Sequence, residues 1–211
     1  MVKIVALNEV DTMNEITNNE KESYAHVNVN DSVLHLMNHP AFEGFGQFIL
    51  PINNVRLDKG IQLKNVSALL PYHNHVNSDT TVGVINYMID EVNEGKTIFY
   101  DFYTEQQKQE DPTKASTGLF FFRGDQGTPF AIVCPGGGFA YVGSIHEGFP
   151  QAIELSNKGY DAFVLKYHVG SEQRATEDLA AAIAYTGHAT FSESYPPTFI
   201  TVSEDDRIVN I

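Results

Sequence analysis

Three consecutive glycines, Gly136-Gly137-Gly138, follow the run Pro129-Phe130-Ala131-Ile132-Val133-Cys134-Pro135. The run is short, nearly unbroken in its apolar character and bounded by turn residues, which reads as a strand buried on both faces of a sheet. Glycine has no Cβ, reaches φ > 0 and lets backbone N–H groups stand against a ligand. A strand ending in such a turn, with a helix behind it, makes a preorganised cup for negative charge. The charge is that of a bound anion or of an oxygen that gains it during acyl transfer. A tight turn without a ligand is the plain alternative.

Other residues that could do chemistry are more weakly placed. Ser144, His146 and Glu147 follow the glycines closely. A Ser-x-His pair so near in sequence has difficulty presenting Oγ to Nε2, and these residues are expected to start or cap the next helix. Cys134, the single cysteine, cannot form an internal disulfide and reads as a small buried hydrophobe, not a nucleophile. His35 and His39 are four apart on a short segment that Pro40 ends, without the glutamate of an H-E-x-x-H site. His73 and His75 would point the same way in an extended segment but need further ligands. No metal is assigned to either pair.

Gly136-Gly137-Gly138-Phe139 resembles the HGGG-type oxyanion loop of α/β-hydrolase esterases and lipases, with Pro135 where the histidine usually sits. Cys134 to Tyr141, His146-Glu147-Gly148-Phe149-Pro150 and Gly159 to Tyr167 look like a bacterial branch of that family related to acetyl-xylan and other small carboxylesterases. The resemblance covers roughly residues 70–211. It implies serine acyl chemistry on a small-molecule ester of an acetyl or other short acyl group, with no metal and no cofactor. It also implies that the N–H groups of Gly137 and Gly138 bind the oxyanion and that Gly136, Phe139 and Tyr141 contact the substrate. Asp206, followed by Arg207-Ile208-Val209, matches the triad acid, with Asp205 second.

The nucleophile does not follow the family pattern. That pattern places a G-x-S-x-G turn after the strand that succeeds the helix Thr176–Tyr185, but no serine here has a glycine two positions before it. No histidine follows Asp206 in the sequence either. The expectation is an internal loss near Tyr185–Thr186 together with a C-terminal truncation, and an impaired ester hydrolase. The alternative is a non-catalytic remnant that holds a ligand or self-associates as a homo-oligomer.

These residues must be carried by a framework that is largely readable. The spacing predicts a helix Ser32–Met37, and a helix Asp79–Asn93 capped by Asp79 with a stripe of Val82, Ile85, Met88, Ile89 and Val92. It predicts strands Thr97–Tyr103, Gly118–Arg123 and Tyr160–Val169, a surface connection Thr104–Thr117, and helices Gly148–Lys158 and Thr176–Tyr185, the last with Thr176 as a cap. Strand and helix alternate after residue 129, which implies an α/β chain with a mostly parallel sheet flanked by helices. By the resemblance this is an incomplete α/β-hydrolase fold, a truncated domain over 66–211 preceded by an N-terminal extension or cap over 1–65. Within the extension, residues 8–31 are rich in Asn, Glu and Asp and are expected to pack poorly.

The totals narrow the partners. The chain has 211 residues, of which 42% are hydrophobic, which suits one domain with a sizeable core. Lys plus Arg number 13 against 27 Asp plus Glu, a net charge of −14, which argues against nucleic acid and against an anionic membrane as partner. No stretch approaches the roughly 20 apolar residues of a membrane helix, and Met1 to Val10 lacks a signal-peptide core. A cytoplasmic protein is expected.

Overall fold

The structure, a computed structural model, describes residues 23–51, 60–70, 76–189 and 199–201. Its elements are, in chain order, α1 (Val33–Met37), α2 (Ser78–Asn93), β1 (Phe99–Tyr100), α3 (Glu105–Glu110), β2 (Gly118–Phe122), β3 (Phe130–Val133), α4 (Phe149–Asn157), β4 (Asp161–Lys166), α5 (Glu172–Ala189) and β5 (Phe199–Thr201). The strands form one sheet in the order β1-β2-β4-β3-β5.

The sheet is mixed, which corrects the expectation of a mostly parallel one. β3 pairs in parallel with β4 and with β5, whereas β2 is antiparallel to both β1 and β4. The helices account for the parallel half: α4 carries the chain back between β3 and β4, and α5 does so between β4 and β5. No such helix separates β2 from β3, so the chain simply reverses there. β4 then fills the place between them. Both halves of the sheet class α/β are present, but the direction of each strand follows from its connection.

Alternation along the strands divides the core in two. Phe120, Phe122, Val133, Ala162 and Val164 face a cluster with Ile85, Met88, Ile89, Ile145 and Phe149. Leu119, Phe121, Phe130, Ile132, Phe163 and Leu165 face the other, with Ala175 and Ala182 of α5. Both faces of the sheet are covered, which is why the strands carry almost no polar positions.

α2 starts one residue earlier than its stripe suggests. Asn77 caps it, its side chain accepting from the N–H groups of Asp79 and Thr80 at 3.0 Å each. Two further asparagines of α2 hold the segment before α1. Asn86 accepts from the N–H of Val27 at 2.9 Å and donates to its carbonyl at 3.0 Å, and Asn93 does the same to Tyr24 at 2.7 and 3.0 Å. Side-chain amides thus replace a neighbouring strand. Of the asparagine-rich stretch, residues 23–31 are mostly exposed or half-buried, and Val27 alone is buried, in the same cluster as α2 together with Val33, Leu36 and Phe42. Phe45 stacks on Phe99 at 4.7 Å.

Candidate active site

β3 ends at Val133 and hands the chain to Cys134-Pro135 and the three glycines. Because β3 and β4 are parallel, their C-terminal ends lie at the same edge of the sheet, the usual place for ligand sites in open α/β sheets. Gly137 has φ +138°, Gly138 +57° and Phe139 +56°. A Cβ on Gly137 would stand 2.2 Å from the Tyr141 carbonyl oxygen, so only glycine fits there. Phe139 is the one positive-φ residue other than glycine among the described residues. That conformation costs an L-residue roughly 1–2 kcal/mol, and such strain persists only where the surroundings hold it.

The surroundings do hold it. Glu147 accepts from the Gly136 N–H at 3.0 Å, the Gly143 N–H donates to the Gly136 carbonyl at 2.9 Å, and the Ala140 N–H donates to the Gly137 carbonyl at 3.0 Å. From the β4 side, the Tyr167 hydroxyl donates to the Pro135 carbonyl and the Gly170 N–H to the Phe139 carbonyl, each at 2.6 Å. Among the described residues, neither the Gly137 nor the Gly138 N–H donates a hydrogen bond. The carbonyls of Pro135, Gly136, Gly137 and Phe139 are therefore fixed, while the amides of Gly137 and Gly138 are uncommitted.

Of the residues assigned to substrate, Gly136 is bonded through both its N–H and its carbonyl. Phe139 is half-buried with its ring 6.2 Å from that of Tyr167. Tyr141 is buried behind Gly137. Asp205 and Asp206 lie outside the described residues, as do His73 and His75.

Ser144 and His146 lie on a single π-helical turn, Ser144–Gly148, that leads into α4. Ser144 is fully buried and its Oγ makes no hydrogen bond, so it neither caps the helix nor meets solvent. Burial pushes the Cys134 thiol up to about 11, away from a reactive thiolate. His39 uses both ring nitrogens locally: Nε2 donates to the Ala25 carbonyl at 2.9 Å and Nδ1 accepts from the Ala41 N–H at 3.3 Å. Among the described residues no group of three His, Cys, Asp or Glu side chains is placed to hold a metal ion.

A second polar cluster at this edge was not anticipated. Asp178 of α5 is 1% exposed. Its Oδ2 accepts from the backbone N–H and from Nδ1 of His168, both at 2.7 Å, and its Oδ1 accepts from the Tyr103 hydroxyl at 2.8 Å. Burial, and then this carboxylate, raise the Tyr103 hydroxyl above the ordinary tyrosine value. The other ring nitrogen of His168, Nε2, is 3.0 Å from Oγ1 of the exposed Thr113. Thr113 lies on the turn Pro112–Ser116 that precedes β2. Because Gly118 of β2 is opposite Lys166 of β4, that turn belongs to the same edge as the glycine loop.

One signal for this cluster exists in the sequence: Asp178 shares the helical face of Ala175 and Ala182, and a carboxylate in a buried stripe must have partners. Lys166 repeats the theme. It follows Val164 by two, is 3% exposed, and burial lowers its ammonium from 10.5 to about 8.

No helix among the described residues is long and apolar enough to cross a membrane. Set against protein-family models, curated proteins and solved structures, the chain matches none.

Proposed function

We propose that this chain is an α/β-hydrolase-type protein that seats the carbonyl oxygen of a small acyl or acetyl ester on the Gly137 and Gly138 amides. In this reading Gly136, Phe139 and Tyr141 shape the seat and Asp206, or Asp205, is the triad acid. Turnover is low because no serine of the chain stands in a G-x-S-x-G setting. Its site of action is the cytoplasm, which accords with a single cysteine. The observation that supports it most is that the Gly137 and Gly138 N–H groups are uncommitted in a loop held through the Pro135, Gly136, Gly137 and Phe139 carbonyls. Amides held in place, at the mouth of a parallel strand pair, stabilise an oxyanion without reorganising.

The test is a titration of isotope-labelled protein with phenyl acetate and with acetate, followed by amide NMR. Shifts at Gly137 and Gly138 that disappear in Gly137→Ala are expected, together with p-nitrophenyl acetate turnover far below that of an ordinary esterase. Unmoved glycine amides at saturating ester would refute the seat. Turnover at ordinary esterase rates that Ser144→Ala abolishes would refute the missing nucleophile.

A second reading, a self-associating remnant, draws on β5 (Phe199–Thr201), which stands at one edge of the sheet among the described residues. An edge strand offers unpaired backbone groups to another chain. Sedimentation that gives a monomer at all concentrations would exclude it.

A further inference from the structure

The structure assigns a second reactive site to this edge of the sheet: Thr113, His168 and Asp178 form a hydroxyl–imidazole–carboxylate relay. We propose that it lets Thr113 accept the acyl group of an activated carboxylic ester. The inference does not rest on the glycine loop, and its readout is a different residue.

A weak hydroxyl becomes a nucleophile when a base lies within hydrogen-bond reach and a third group orients that base. Both conditions hold here. His168 is oriented by Asp178, which accepts from both its backbone N–H and Nδ1, each at 2.7 Å. With Nδ1 donating, the neutral ring turns its lone pair on Nε2 toward Thr113 Oγ1, 3.0 Å away. Asp178 is itself fixed by Tyr103 at 2.8 Å, so the carboxylate cannot swing away.

Two neighbours fit the same chemistry. Arg174 Nη1 donates to Thr113 Oγ1 at 2.7 Å, and a guanidinium there stabilises charge that develops on that oxygen. At rest Thr113 Oγ1 donates its single proton to Asp111 at 2.6 Å, so the hydroxyl turns toward Nε2, 3.0 Å away, before His168 takes that proton. His168 and Asp178 are buried, while Thr113 is exposed. The base is thus shielded and the nucleophile open to a substrate.

The step balances without a co-reactant. Thr113 Oγ1 forms a bond to the acyl carbon as its proton passes to His168 Nε2. The carbonyl re-forms as the bond to the leaving alcohol breaks, and that alcohol departs with the electron pair. The imidazolium returns its proton to the leaving oxygen or to water. Water then attacks the acyl carbon and gives a proton to Nε2, the acyl–Oγ1 bond breaks as Oγ1 takes that proton back, and the carboxylic acid leaves.

The experiment uses the full chain and p-nitrophenyl acetate, with peptide mapping of the acetylated protein. Hydroxylamine separates a labile O-acetyl from a stable N-acetyl on lysine. The expected result is a hydroxylamine-labile acetyl on Thr113 that is absent in Thr113→Val, is retained in Thr113→Ser, and forms about 10²-fold more slowly in His168→Gln. A wild-type protein acetylated only on lysines would overturn the proposal. So would undiminished Thr113 labelling in a His168→Gln protein with native circular dichroism. If His168→Gln fails to fold, the valine and serine variants decide, because Thr113 is exposed.

Discussion

Replacing Asp178 by alanine should be among the most damaging single changes in this chain. The carboxylate is 1% exposed and accepts from three donors: the Tyr103 hydroxyl, the His168 backbone N–H and His168 Nδ1. Alanine leaves all three without an acceptor, and each orphaned buried donor costs about 1–3 kcal/mol. Water entering the vacated space, reached from the exposed Thr113 side, recovers part of that sum. A net loss of about 3–5 kcal/mol remains, the range found when one partner of a buried pair is removed. For a chain of this size each kcal/mol lowers Tm by roughly 2–4 °C, so the melt should fall by about 6–20 °C. Urea unfolding followed by circular dichroism measures the free energy directly. Tyr103→Phe, made alone, should cost about 1 kcal/mol; made in the Asp178→Ala background it should cost almost nothing, because its acceptor has already gone. A loss below about 1 kcal/mol for Asp178→Ala, the range of an exposed ion pair, would refute the reasoning. The network would then be solvated and would not hold α5 to the end of β4.

Two further outcomes follow from buried groups. Lys166 is charged in both folded and unfolded chains below about pH 8, so the full desolvation cost is present there. As pH rises from 8 toward 10.5 the folded group is neutral while the unfolded one still binds a proton, so stability should rise with pH. Lys166→Met should therefore add on the order of 3 kcal/mol at pH 7 and flatten the rise between pH 7 and 9, read by urea midpoints; a steeper dependence in the variant would contradict this. Cys134, with its thiol pushed up to about 11, should react with iodoacetamide at pH 8 about 10²-fold more slowly in native protein than in urea, and equal rates would show that burial does not control it.

Local patterns were reliable where one element was enough to determine them. The 3.6-residue stripe of Ile85, Met88 and Ile89 gave α2, and Gly95, at φ +80°, follows its end. Caps were less legible. Asn77, Ser78 and Asp79 are all cap formers, and the turn geometry selected Asn77. Thr176 lies inside α5, because Ser171, five residues earlier, accepts from the Arg174 N–H and starts the helix sooner. The run Thr97–Tyr103 has strand character, yet only Phe99 and Tyr100 pair with β2, and the Phe99 ring occupies the space a side chain on Gly118 would need.

The amino-acid sequence by itself determined that β3 is buried and that its glycine turn can reach φ > 0, because apolar continuity and the absence of a Cβ are properties of the residues concerned. It also determined that Asp178, on the Ala175 and Ala182 face, had to find partners. Only the tertiary structure decided which partners. Thr113 and His168 are 55 positions apart, and His168 and Asp178 are 10 apart. They meet because β2 runs antiparallel to β4 and so delivers the turn before it to the C-terminal edge of β4. Strand direction and order depend on how connections pack over the whole sheet, and no local periodicity encodes them.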